Sequence, residues 1–221
     1  MSLESRKGAR LEDPGAELLD QLTGFWGRYG RLTLGVVGVA AVVSAGLFFT
    51  LRSRASQEEL AAGKLAEANV MFWQGDYQHS LQAARQVSQT YASTPSGNDA
   101  HRLAGDDAYW SGDFKTAVTE YRSYLSSAKK GLLADGVRRS LAYALESDKQ
   151  YAEASTLYTQ LVGTFDRESS AEFLAAAARC QREAGHKEDA VKLLQRLLDE
   201  FGETSYANAA RIDLAELTAT H

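Results

Sequence analysis

Proline and cysteine are almost missing from this sequence. Pro14 and Pro95 are the only prolines among 221 residues, so little along the chain forbids helix, and no run reads as a strand. Cys180 stands alone, which excludes an intramolecular disulfide framework. A basic surplus is missing too. The net charge is −5, and residues 55–221 hold seventeen Lys/Arg against twenty-four Asp/Glu, a net −7. Such a surface excludes nucleic acid as a partner, because neutralising phosphates takes a basic face.

Signatures of catalysis are equally scarce. The chain has no phosphate loop, no GxSxG elbow and no dinucleotide fingerprint. His79, His101, His186 and His221 are scattered, without the spacing of metal ligands. Cys180 falls in an alanine-rich helical stretch, the setting of a buried inert thiol rather than a nucleophile. Asp106 and Asp107 are adjacent, but neighbouring helical residues point apart and make no acid/base dyad. The expectation is a chain that is not an enzyme and needs no cofactor and no metal.

What the sequence does contain is one long apolar run. Leu32 to Leu51 reads LTLGVVGVAAVVSAGLFFTL, twenty residues without a charge. At about 1.5 Å per residue it spans a hydrocarbon core of roughly 30 Å. Arg28 and Arg31 flank one end, Arg52 and Arg54 the other, and Phe25, Trp26 and Tyr29 form an aromatic belt. These seven are the expected membrane-interface residues. A cleavable signal would have a shorter apolar core with a small-residue site beside it, so residues 32–51 are expected to be an uncleaved transmembrane helix. Within twenty residues of the run there are two basic residues before and three after, so charge does not orient it. Residues 1–31 form an amino-terminal tail. Asp13-Pro14 reads as a helix start, and Leu18, Leu22, Phe25, Trp26 and Tyr29 recur on one helical face. This segment is either a short amphipathic helix at the interface, ended at Gly30, or a continuation of the membrane helix.

The remainder, residues 52–221, repeats itself. Gly75-Asp76-Tyr77, Gly112-Asp113-Phe114 and Lys149-Gln150-Tyr151 recur at steps of 37, and Gly185-His186-Lys187 follows 36 later. Three residues beyond each aromatic slot lies a small residue: Ser80, Ala117, Ala154 and Ala190. Packing positions follow at Ala84, Tyr121, Tyr158 and Leu194, then at Val87, Tyr124, Leu161 and Leu197. Gly-Asp turns the chain between two helices, glycine taking positive φ and aspartate capping the next helix. The small residue lets the helices close together, and each pair buries its apolar face only by stacking on its neighbours. Helix pairs are expected at 55–74 with 76–91, 97–111 with 113–128, 131–147 with 150–163, and 168–184 with 186–201, with a capping helix at 204–218. The fold class is therefore all-α: one transmembrane helix, then a solenoid of about four helix pairs and a carboxy-terminal cap. This pattern resembles the tetratricopeptide repeat, whose period is roughly 34, over residues 56–201. Ala68, Gly105, Ala142 and Ala178 supply the small residue expected within each first helix.

Repeats of that kind bind ligands on an inner surface lined by the first helices. The resemblance places Asn69, Phe72, Trp73, Arg102, Asp106, Tyr109, Trp110, Arg139, Tyr143, Arg179 and Arg182 on it. Aromatic and arginine side chains carry much of the binding energy in protein interfaces. The rival readings are interhelical core for the rings and a solvated face for the arginines.

The order of parts carries a further resemblance. Phe25-Trp26-Gly27-Arg28-Tyr29-Gly30, just before a Gly/Val-rich span, is similar to the start of the bacterial ancillary Sec-translocon subunit family. That resemblance implies a single-pass protein of the bacterial inner membrane, amino end cytoplasmic and repeats periplasmic. Its expected partners are the lipid bilayer, the translocon and chaperones, in envelope protein biogenesis. The competing expectation is an accessory structural subunit of another large membrane complex, respiratory or photosynthetic, docked through the amphipathic segment and the small-residue span.

Overall fold

The computed structural model describes residues 14–128 and 130–219. Asp13, the polar tail before it and His221 lie outside the described residues, as do the side chains of Leu18 and Leu22. Among the described residues there are nine helices and no strand. They are α1 (Pro14–Trp73), α2 (Tyr77–Thr90), α3 (Pro95–Trp110), α4 (Phe114–Ser127), α5 (Leu132–Ser147), α6 (Tyr151–Leu161), α7 (Arg167–Glu183), α8 (Lys187–Phe201) and α9 (Ala207–Ala219). The chain divides between Arg54 and Ala55 into two compact units.

The described part of the first unit, residues 14–54, is helical throughout. Among the described residues α1 passes through Gly30 without a break, joining the aromatic segment to the apolar run in one helix. A lone glycine costs a helix only about 1 kcal/mol, and here the Trp26 ring covers it: a β-carbon on Gly30 would lie 3.5 Å from Trp26 Cδ1. Among the described residues α1 is the one helix long and apolar enough to cross a membrane. Its large apolar side chains from Leu32 to Leu51 are exposed, a surface suited to a solvent other than water.

The second unit holds the end of α1 and the eight helices after it. The four helix pairs, α1 end with α2, α3 with α4, α5 with α6 and α7 with α8, follow the spacing of the sequence, and α9 packs on α8. Each pair turns in the same way. Gly75 N–H donates to Phe72 O (2.9 Å) and Asp76 N–H to Met71 O (3.0 Å); Gly112 and Asp113, Lys149 and Gln150, and Gly185 and His186 repeat both bonds. These are nested helix-end bonds that need a left-handed residue. φ is +80° at Gly75 and at Gly112, +83° at Gly185, and +61° at Lys149. Asp76 and Asp113 then cap α2 and α4, accepting from the backbone N–H of His79 (3.4 Å) and Thr116 (3.1 Å).

The small positions are fully used. Ser80, Ala117, Ala154 and Ala190 are buried completely, as are Ala68 and Ala142. Gly105 faces the Tyr121 ring, and a β-carbon there would lie 2.5 Å from it. The core runs through the unit in three stretches. The first joins α1, α2 and α3 around Leu65, Val87 and Leu103. The central one gathers Tyr121, Leu145, Tyr158 and Phe173. The last joins α7, α8 and α9 around Leu174, Leu197 and Phe201.

Candidate protein-binding face

The first-helix residues singled out from the sequence separate into three groups. Asn69 belongs to none of them: its side-chain amide donates to Leu65 O at 3.0 Å, a local bond along the helix.

The first group is a charge network on α3. Arg102 reaches Asp99 through Nε (2.8 Å) and Nη2 (3.2 Å) and Asp106 through Nη1 (2.9 Å), while Tyr121 Oη donates to Asp106 Oδ1 (2.8 Å). Burial lowers the Arg102 pKa, but bonding to Asp99 and the charges of Asp99 and Asp106 outweigh it and hold the guanidinium above its usual value. Burial lifts the Asp106 carboxyl above its usual value despite the bonds from Tyr121 and Arg102. Asp107, its neighbour, points elsewhere. It is buried, accepts from Ser80 Oγ at 2.8 Å, and leaves Oδ1 without a partner. Burial pushes its carboxyl up to about 7.

The second group bridges α5 and α7. Tyr143 Oη donates to Glu172 Oε1 (2.7 Å), and Arg179 binds Glu146 through Nε (2.6 Å) and Nη2 (3.0 Å). Burial, then the Glu172 bond, raise the Tyr143 phenol. Arg139 stands apart, its Cζ 5.3 Å above the Phe165 ring centroid, a cation–π geometry. Arg182 makes only a long approach of 3.6 Å to Glu183. Two of the four arginines are thus engaged by internal carboxylates, while Arg139 and Arg182 present exposed guanidinium groups.

The third group is aromatic. Phe72 and Tyr109 are half-buried against the core, so their inward sides serve packing. Trp73 and Trp110 do not: they are 82% and 63% exposed.

Glu172, Glu146 and Asp99 were not singled out by sequence, and Tyr77 only as the aromatic of a turn, yet they position or extend these groups. The repeat register held the signal for two of them. Asp99 and Glu172 lie seven residues before Asp106 and Arg179, which are themselves equivalent positions. Elsewhere, Cys180 is buried, and burial followed by the Glu146 charge pushes its thiol up to about 12. His79 is held by Asp76, His101 by Glu120 at 2.8 Å and His186 by Gln181 at 2.9 Å. The seven membrane-interface candidates, Phe25, Trp26, Arg28, Tyr29, Arg31, Arg52 and Arg54, are all exposed along α1.

Comparison with known proteins agrees with this architecture. The model of a family described as a tetratricopeptide repeat-like domain matches residues 23–178, more than half of the chain, and a tetratricopeptide repeat model matches residues 176–204. No curated protein matches. Among solved structures, the nearly identical TPR-like repeats of a Podosopora anserina protein described as a kinesin light chain are similar in fold. The identity is 21%, the TM-score 0.53, and the match covers 75% of this chain and 85% of that one. A form of the same repeats carrying a point substitution matches with 22% identity and TM-score 0.53, covering 75% of this chain and 84% of that one.

Proposed function

The chain belongs to the tetratricopeptide repeat-like domain family, and we propose that it is a non-catalytic, membrane-anchored protein-interaction module that recruits translocating chains or chaperones in envelope protein biogenesis. The observation that carries this reading is the pairing of two features in one chain. One is an α1 run that offers no charged side chain over twenty residues and exposes its large apolar ones. The other is a first-helix face on which rings and guanidinium groups stand exposed beside a rigid, charge-paired frame. The family match itself begins at residue 23 and so takes in the apolar run together with the repeats, which supports treating anchor and repeats as one functional piece. In this reading α1 crosses the inner membrane with Phe25, Trp26, Tyr29 and the flanking arginines at its interfaces, and the repeats lie in the periplasm, as the sequence resemblance to the ancillary Sec-translocon subunits implies.

A frame of this kind suits binding better than chemistry. Arg102 and Arg179 are neutralised in place, so they stiffen the face and leave Arg139, Arg182, Trp73 and Trp110 to meet a partner. The test is site-specific photo-crosslinking in native membranes from position 139 and position 110. Adducts with the translocon, a chaperone or an exported chain are expected. Adducts only with respiratory or photosynthetic subunits would shift the reading to an accessory subunit, and no polypeptide adduct from either position would end it.

A further inference from the structure

The tetrapeptide Trp73-Gln74-Gly75-Asp76 recurs as Trp110-Ser111-Gly112-Asp113, one repeat later. It is absent from the third unit, where Ser147-Asp148-Lys149-Gln150 takes its place. The two copies are joined by rings. Trp73 stands edge-on to Phe72 (centroids 5.3 Å apart), Phe72 meets Tyr77 (5.5 Å), and Tyr77 stacks on Trp110 (6.5 Å, 21° between planes). Trp110 then meets Tyr109 (6.1 Å), and Tyr109 meets Phe114 (5.5 Å). Six rings thus form one unbroken row across two repeats, and its tryptophans are among the most exposed large side chains of the second unit. Folding does not require this exposure, since the core beneath is already closed by Leu65, Val87 and Leu103.

The row lies beside fixed negative charge. Neither tetrapeptide holds a lysine or arginine. Asp76 is kept ionised chiefly by its bond to His79, and Asp113 by its bonds to Thr116; both carboxyls sit below their usual range. Arg85 and Lys115 are the nearby basic residues that partly offset Asp113. Ring faces and carboxylates together attract guanidinium and ammonium groups. They repel an anionic lipid surface. A second copy is disfavoured as well, because like edges would set Asp76 and Asp113 of two acidic units against each other.

We propose that this row is a docking strip for an extended polypeptide segment bearing arginine or lysine side chains, which lie over the exposed Trp73 and Trp110 rings while their charges meet Asp76 and Asp113. The proposal rests on the interaction-module reading and names the chemistry of its partner. It is tested with the full chain in phosphatidylcholine nanodiscs, titrated with a short labelled peptide of alternating glycine and arginine and with its glutamate counterpart. The arginine peptide is expected to bind saturably and the glutamate peptide not to bind. Trp73→Ala/Trp110→Ala leaves every charge in place and should weaken arginine-peptide binding about tenfold, with the helical circular dichroism unchanged. Equal binding by that variant would show simple charge attraction and overturn the proposal. So would preferential binding of the glutamate peptide, or shielding of the two tryptophans by phosphatidylglycerol vesicles instead of peptide. If the ring-dependent binding fails while position 139 still captures polypeptides, the strip is wrong and the module reading stands. If position 139 captures nothing while the peptide binds through the rings, the strip stands and Arg139 lies outside the partner's site.

Discussion

Lys149 sits at φ +61° in the slot that glycine fills in the other three turns. A side chain in the left-handed region costs about 1–2 kcal/mol, and glycine gives part of that back as unfolded-state entropy. Lys149→Gly should therefore stabilise the second unit by about 1 kcal/mol in urea melts. Gly105 presents the opposite case. The Tyr121 ring leaves no room for a β-carbon and is tethered at its far end by the bond to Asp106. Gly105→Ala should destabilise by about 1–3 kcal/mol, despite the higher helix propensity of alanine. Asp107 makes stability depend on pH. Its folded value of about 7 lies above its ordinary value of 3.8, so the folded state binds the extra proton. The contribution is full below pH 4 and is lost as pH rises through 7. Asp107→Asn keeps the shape and removes the titration, so its urea midpoint, compared with wild type, should gain more at pH 8 than at pH 5.

At the scale of elements, the turns decide the helix boundaries. Asp113 accepts from Thr116 N–H at 3.1 Å, and Asp113→Ala should cost about 1 kcal/mol, read as earlier hydrogen exchange in the first turn of α4. Because the recurring turn slot, Gly-Asp in the first two pairs, ends one helix and starts the next, the four pairs were legible from spacing alone, as were the small residues Ala117, Ala154 and Ala190, all of which are buried. The course of α1 through Gly30 was not legible. A single glycine beside an aromatic has no sequence signal that separates a break from a covered helical position. The candidate face was legible only in its register. Spacing identifies which residues share the first helices and sets Asp99 and Asp106 three and four residues from Arg102, but not that Arg179 is already engaged, because Glu146 comes from a neighbouring helix. Exposure of Trp73 and Trp110 was undecidable for a related reason: a ring at a helix end serves core or solvent according to how its neighbour packs.

At the scale of the molecule, the second unit is stabilised by neighbours rather than by a centre. Glu120 shows the principle. Burial raises its carboxyl, but bonds from His101 and Arg85 prevail and hold it below its usual range, tying α2, α3 and α4 together. α9 closes the far end through Ala210, Leu214 and Leu217, with Tyr206 just before it, over Phe201 and Leu197. A chain ended after Gly202 should expose that stretch and lose solubility first, seen as a shift to aggregate in size exclusion while helical content persists. The burial of Cys180 has a separate use. A protein whose one thiol is shut away and hard to ionise is silent to maleimide, so a cysteine placed on either flank of α1 would be the sole reactive group. In intact cells, an impermeant reagent would then label one flank and spare the other, and the side on which the repeats reside could be read from a single gel shift.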